Sequence, residues 1–269
     1  MRVWIFCILS AWMLGACNSN RKFSESLLKA TLQQADGNAG ELISVLEHYE
    51  DDPQKREAAE FLIANMLDQV SLDSASVSNT QPYYDFLAEY VEKNGKYKDS
   101  RIYYYFCDSL QNILPRSTRY VTEYYRPDPT FLSACFLIDH IDERFDEWRN
   151  TSWKDRIDFE TFCNYILPYK SHYDYWDGSS VYFQKKYRDT LSCYADSSYV
   201  QAGKYLNAIV QNDFQQDAPF FCEFPFMMPT SARNFTLSRL GTCIEANVVA
   251  ISALRSFGIP ATLNFIPYW

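Results

Sequence analysis

Cys243 stands between a glycine and an apolar helical stretch, in the run Leu240-Gly241-Thr242-Cys243-Ile244-Glu245-Ala246-Asn247. Thr242 and Glu245 have the spacing of a capping box. The threonine hydroxyl accepts from the amide three residues on, and the glutamate reaches back to the cap amide. Gly241 supplies a tight turn, and Cys243 becomes the first residue of the helix. There its sulfur faces free backbone amides and the positive end of the helix dipole, which favour the thiolate. A thiolate so placed attacks carbonyl carbon, which is the chemistry of acyl transfer. The competing reading of an unpaired cysteine is a small buried hydrophobe.

The element that must position this sulfur is the helix behind it. Ile244, Val248, Ile251 and Leu254 form one apolar stripe, with Val249, Ala250, Ala253 and Phe257 beside it. A helix apolar on more than one face belongs in an interior. Gly258 suits the left-handed position that ends a helix, and Pro260 follows at the usual distance. Residues Ala261 to Ile266 then read as a strand, bounded by Pro267.

Gly241-x-Cys243, Ala253-Leu254-Arg255 and Gly258-Ile259-Pro260-Ala261 followed by a strand resemble the nucleophile segment of the transglutaminase-like superfamily. More narrowly, the chain resembles exported transglutaminase-like lipoproteins of gut Bacteroidetes. Their helical N-terminal half carries a segment similar to Asp158-Phe159-Glu160-x-Phe162-Cys163-x-Tyr165-Ile166-Leu167-Pro168-Tyr169. The resemblance implies a papain-like α+β core with a Cys–His–Asp triad, a cysteine that attacks a carboxamide or peptide carbonyl, and no cofactor. Only Cys243 carries over. In the family the histidine and aspartate follow the cysteine helix, usually after a stretch like Pro267-x-Trp269.

All three histidines, His48, His140 and His172, precede the cysteine. His48 and His140 read as exposed helix residues, the latter in a charged run with Asp139, Asp142, Glu143 and Arg144. His172 lies in an aromatic loop from Tyr169 to Gly178 and is the one candidate for a cleft. The strand would also lack neighbours, leaving an unpaired apolar edge. The expectation is a truncated product or a partial sequence of a longer protein, which carries a nucleophile position without its base and is inactive as it stands.

The first residues read as an export signal. Arg2 precedes an apolar run from Val3 to Met13, which is short for a membrane span, and Leu14-Gly15-Ala16-Cys17 looks like a bacterial lipobox. Residues 1–16 are then a lipoprotein signal peptide, Cys17 is the lipidated first residue and 17–25 form a polar tether. That places the protein in the cell envelope, anchored by lipid. Its removal leaves roughly 250 of 269 residues, enough for one large or two small domains.

A net charge of −9 disfavours nucleic acid as a partner, because phosphate binding requires a basic surface. Of eight cysteines, six lie beyond the anchor; with Cys243 kept free the other five cannot all pair. Most follow an aromatic or small apolar residue, as in Phe106-Cys107, Phe162-Cys163 and Phe221-Cys222, which suggests buried thiols rather than disulfides. No CxxC pair or His/Cys cluster suggests a metal site. The near-even spacing of Cys107, Cys135, Cys163, Cys193 and Cys222 is not a repeat, since the windows around them share little else.

From Phe23 to about Asn150 the pattern is helical. Leu42, Ile43 and Leu46 give one apolar face. Asp52-Pro53 opens another helix, with a capping aspartate and proline at its first position. Leu137, Ile141, Phe145 and Trp148 share a stripe in a long helix, and Asp158 caps Phe159–Leu167, ended by Pro168. Aromatic residues make up 17% of the chain, including clusters at Tyr103–Phe106, Tyr124-Tyr125 and Tyr173–Trp176. They suit either helix packing or a surface for glycan or peptide.

The sequence therefore predicts a predominantly helical α+β protein. Residues 26–218 form a helical, aromatic-rich region, and 219–269 form the first part of a transglutaminase-like core, its cysteine helix plus strand. Its substrate would be a peptide, protein or glycan. The alternative is a non-catalytic envelope lipoprotein that binds glycan or peptide.

Overall fold

The computed structural model describes residues 24–72, 74–95, 125–172, 178–194, 197–213, 231–239, 241 and 243–264. Within them the protein is predominantly helical, with one two-stranded sheet of β1 (Val70–Leu72) and β2 (Tyr125–Pro127). The signal, the lipobox with Cys17, the tether up to residue 23, three aromatic stretches (103–106, Tyr124 and 173–176) and the expected boundary at 218/219 lie outside the described residues. The chain divides into two compact units. One comprises residues 1–69 and 127–141, the other 70–126 and 142–269.

In the first unit, α1 (residues 24–34) is followed by a 3-10 turn at Asp36–Asn38, α2 (Ala39–His48) and α3 (Pro53–Ala64). The start of α3 is as the sequence predicts: Pro53 occupies the first turn and the Asp52 carboxylate accepts from the Lys55 amide. In α2 the inward residues are Leu42 and Val45, while Ile43 is exposed. The expected Leu42–Ile43–Leu46 face is thus rotated, because Tyr49 just past the helix continues the buried i, i+3, i+7 line. The Asn38 side-chain amide donates to the carbonyls of Pro129 and Leu132, and Glu41 Oε2 accepts from the Ala134 amide at 2.7 Å. That carboxylate satisfies one of the free amides that begin α5 (Ala134–Asn150).

Helix α5 gives residues up to Ile141 to the first unit and the remainder to the second. Leu137, Ile141, Phe145 and Trp148 are buried as their spacing predicts. His140 and Arg144 are buried too, which corrects the expected exposed face. Both fall on the inward stripe, three residues from Leu137 and Ile141 respectively, so helical register overrides their polarity.

The second unit holds α4 (Ser74–Asn94), α6 (Phe159–Tyr165), α7 (Ser179–Leu191), α8 (Tyr199–Asp213), α9 (Ala232–Ser238) and α10 (Cys243–Arg255). Asp158 caps α6 through the Thr161 amide at 2.7 Å. The helix ends at Tyr165, earlier than expected, with the Ile166 and Leu167 amides both turned onto the Phe162 carbonyl. Phe162 stacks on Trp148 at 4.5 Å and meets Phe145 edge-on at 4.7 Å, locking α6 to α5. Helices α4 and α9 share a reciprocal amide pair between Gln81 and Asn234, beside the edge-on contact of Tyr84 with Phe235.

Helix α10 is central to this unit. Ala246, Val248, Val249, Ala250, Ile251 and Ala253 are all buried, as an all-round apolar helix requires. Gly203 of α8 sits where an added Cβ would lie 3.3 Å from Ile259 Cγ2, so the two elements approach through hydrogen. The end of α10 is a Schellman motif: the Gly258 amide returns to the Arg255 carbonyl, the Ile259 amide to that of Leu254, and Gly258 has φ +63°. Beyond it Ala261–Asn264 is not a strand, contrary to expectation, while Phe265 and Ile266 lie outside the described residues. Burial still alternates along Ala261–Asn264, but a strand exists only with a ladder partner, and none pairs with these residues among those described.

Candidate functional site

Cys243 is the first residue of α10, its thiol is free and it is exposed. The sulfur therefore stands at the solvent end of a helix most of whose apolar residues are buried. Glu245 occupies the third position of the helix, the capping-box register, while Thr242 lies outside the described residues. Gly241 is buried, and two residues before it Arg239 takes the left-handed conformation that ends α9, at φ +48°. A non-glycine residue there is strained, and the Arg239 guanidinium donates to the Gly95 carbonyl at 3.1 Å. The Asn247 side chain donates to the Cys243 carbonyl at 2.7 Å, an added fastening of the first turn.

The histidines are divided between the two units. His48 is exposed on α2 and His140 is buried on α5, both in the first unit, whereas Cys243 belongs to the second. His172 is half-buried and shares the unit of Cys243. Two residues before it, the Lys170 carbonyl is held by Arg255 at the far end of α10, roughly 18 Å along the helix from Cys243 at 1.5 Å per residue. Among the described residues, no group of three His, Cys, Asp or Glu side chains is placed to hold a metal ion.

The remaining described cysteines form no disulfide, and they differ in setting. Cys163 is buried, in line with expectation, but Cys135 and Cys193 are exposed, which corrects the reading of these thiols as core residues. Each lies on the outward side of its helix or turn, and the apolar Ala134 and Phe136 beside Cys135 in sequence do not bury it. The Asp139 carboxylate, 3.5 Å from Cys135 Sγ, accepts from that thiol and pushes its pKa up. Cys107 and Cys222 lie outside the described residues.

Two buried polar clusters at the C-terminal end of α10 were not visible in the sequence. In one, Arg144 reaches Ser180 Oγ and approaches Glu147 Oε2 at 2.7 Å, an ion pair outside hydrogen-bond alignment. The Gln184 amide donates both to Glu147 Oε1 at 2.7 Å and to the Ser256 carbonyl at 3.0 Å. Burial pushes the Glu147 carboxyl up to about 7, against the pull of Arg144. In the other, the buried Arg255 guanidinium donates to the carbonyls of Tyr165, Pro168, Lys170 and Ala261. The available signal was register: Arg144 and Glu147 flank Phe145 and Trp148 on the inward stripe of α5.

Compared with known protein families, with curated proteins and with solved structures, the chain matches none.

Proposed function

We propose that this is an exported, lipid-anchored protein of transglutaminase-like type, with Cys243 as the nucleophile of amide or peptide acyl chemistry. The thiolate adds to the carbonyl carbon, the amine leaves with a proton, and the resulting thioester passes its acyl group to water or to another amine. The amide of Cys243 is a donor suited to the developing oxyanion. The resemblance implies a histidine and an aspartate as partners of this thiol, and neither role is assigned to His48, His140 or His172. The observation that carries the reading is the exposed, free Cys243 thiol at the amino end of a helix whose apolar residues are mostly buried.

The test compares thiols within one folded molecule. With iodoacetamide at neutral pH, Cys243 is expected to alkylate at least about tenfold faster than exposed Cys193. Cys135 should trail because of Asp139, and Cys163 should react only on unfolding. If Cys243 and Cys193 react at the same rate, the nucleophile reading fails and the non-catalytic binding protein takes its place.

A further inference from the structure

Arg255 is 6% exposed, at the last turn of α10, and its guanidinium spans two stretches of chain. Nε and Nη2 both reach the Ala261 carbonyl, at 3.1 and 2.9 Å. Nε also reaches the Tyr165 carbonyl at 3.1 Å, and Nη1 reaches those of Pro168 and Lys170 at 3.0 Å each. The Ala261 amide closes the ring by donating to the same Tyr165 carbonyl at 3.1 Å. A planar fork with five N–H groups fits such a divided set of acceptors, whereas a lysine ammonium offers three donors from one point.

We propose that Arg255 is a positioning residue. It fixes the direction in which the chain leaves the cysteine helix, by clamping residue 261 to the segment that ends α6. The clamp acts at the end of α10 opposite Cys243, so it governs the chain beyond the helix and not the thiol. The inference rests on the proposed role of Cys243 only for the identity of the helix being extended.

Two measurements test it. In the unaltered protein, native-state hydrogen exchange should show the Ala261 amide protected, although Ala261 belongs to no helix or strand. Exchange at the rate of an open chain would overturn the proposal. In Arg255→Lys, checked for native circular dichroism, that amide should exchange at least about tenfold faster, while amides in the middle of α10 keep their protection. Alkylation of Cys243 should stay within about twofold of the parent rate. Unchanged Ala261 exchange in the folded variant would overturn the proposal, as would equal loosening of the whole helix. If Arg255→Lys does not fold, Arg255→Gln takes its place with the same expected loss of Ala261 protection, and open-chain exchange of Ala261 in the unaltered protein still overturns the proposal. A slow Cys243 in the parent would count against the nucleophile reading and leave the clamp standing.

Discussion

At the scale of single residues, the polar groups with the largest consequences are buried rather than exposed. Glu147 is the clearest case, because its side chain is only 6% exposed and its carboxyl is pushed from 4.5 to about 7, mainly by burial. Arg144 and the Gln184 amide pull the other way, while Glu143 and Asp146 add to the rise. A raised folded-state value means that the folded chain binds this proton more tightly than the unfolded one. The stabilisation is complete below about 4.5 and is lost as pH rises through about 7. Its size is on the order of 3 kcal/mol, from about 1.4 kcal/mol per unit. Glu147→Gln should remove that slope. In urea unfolding at pH 5 and pH 8, the parent should lose more stability than the variant over the same interval. Equal losses would mean that the carboxylate is ionised in the fold at both pH values.

At the scale of elements, the ends of α10 show what sequence conveys and what it omits. Its existence, its apolar sides and its terminal glycine are set by local rules, so they were legible. Capping at Asp52 and Asp158 was legible for the same reason. The inward placement of His140 and Arg144 was not, because polar residues on an apolar stripe read as surface until a neighbouring element is known. The expected strand at 261–266 had the right composition, but strand formation depends on a partner elsewhere in the chain. Gly258 joins both kinds of information. Its φ of +63° is set by helix termination, while a Cβ there would sit 2.9 Å from Thr151 Cγ2 and 3.3 Å from the Glu147 carbonyl. Trp153 Nε1 also donates to the Gly258 carbonyl at 3.2 Å. Gly258→Ala should therefore cost more than the roughly 1–2 kcal/mol of a left-handed alanine, since the clash adds to the backbone term. Thermal unfolding of the variant checks this, and a loss below about 1 kcal/mol would show that α5 and α10 yield at their contact.

At the scale of the whole molecule, the proposed attachment to a membrane calls for a physical anchor. Among the described residues no single helix is long and apolar enough to cross a bilayer; the one combination that passes on composition is α9 with α10, bent by 117°. Most of α10 is packed inside the second unit, which explains an apolar helix without any lipid. The proposed anchor is instead the lipid on Cys17, and each buried methylene of an acyl chain contributes about 0.8 kcal/mol of membrane affinity. Produced from its full reading frame in a bacterium that processes lipoproteins, the protein should partition into the detergent phase of Triton X-114. Cys17→Ser should move it to the aqueous phase, because the substitution removes the site of acylation and leaves α9 and α10 intact. If parent and variant both enter detergent, the apolar helices account for the affinity and the lipid anchor is wrong. If both remain aqueous, Leu14-Gly15-Ala16-Cys17 is an ordinary export signal with a coincidental cysteine.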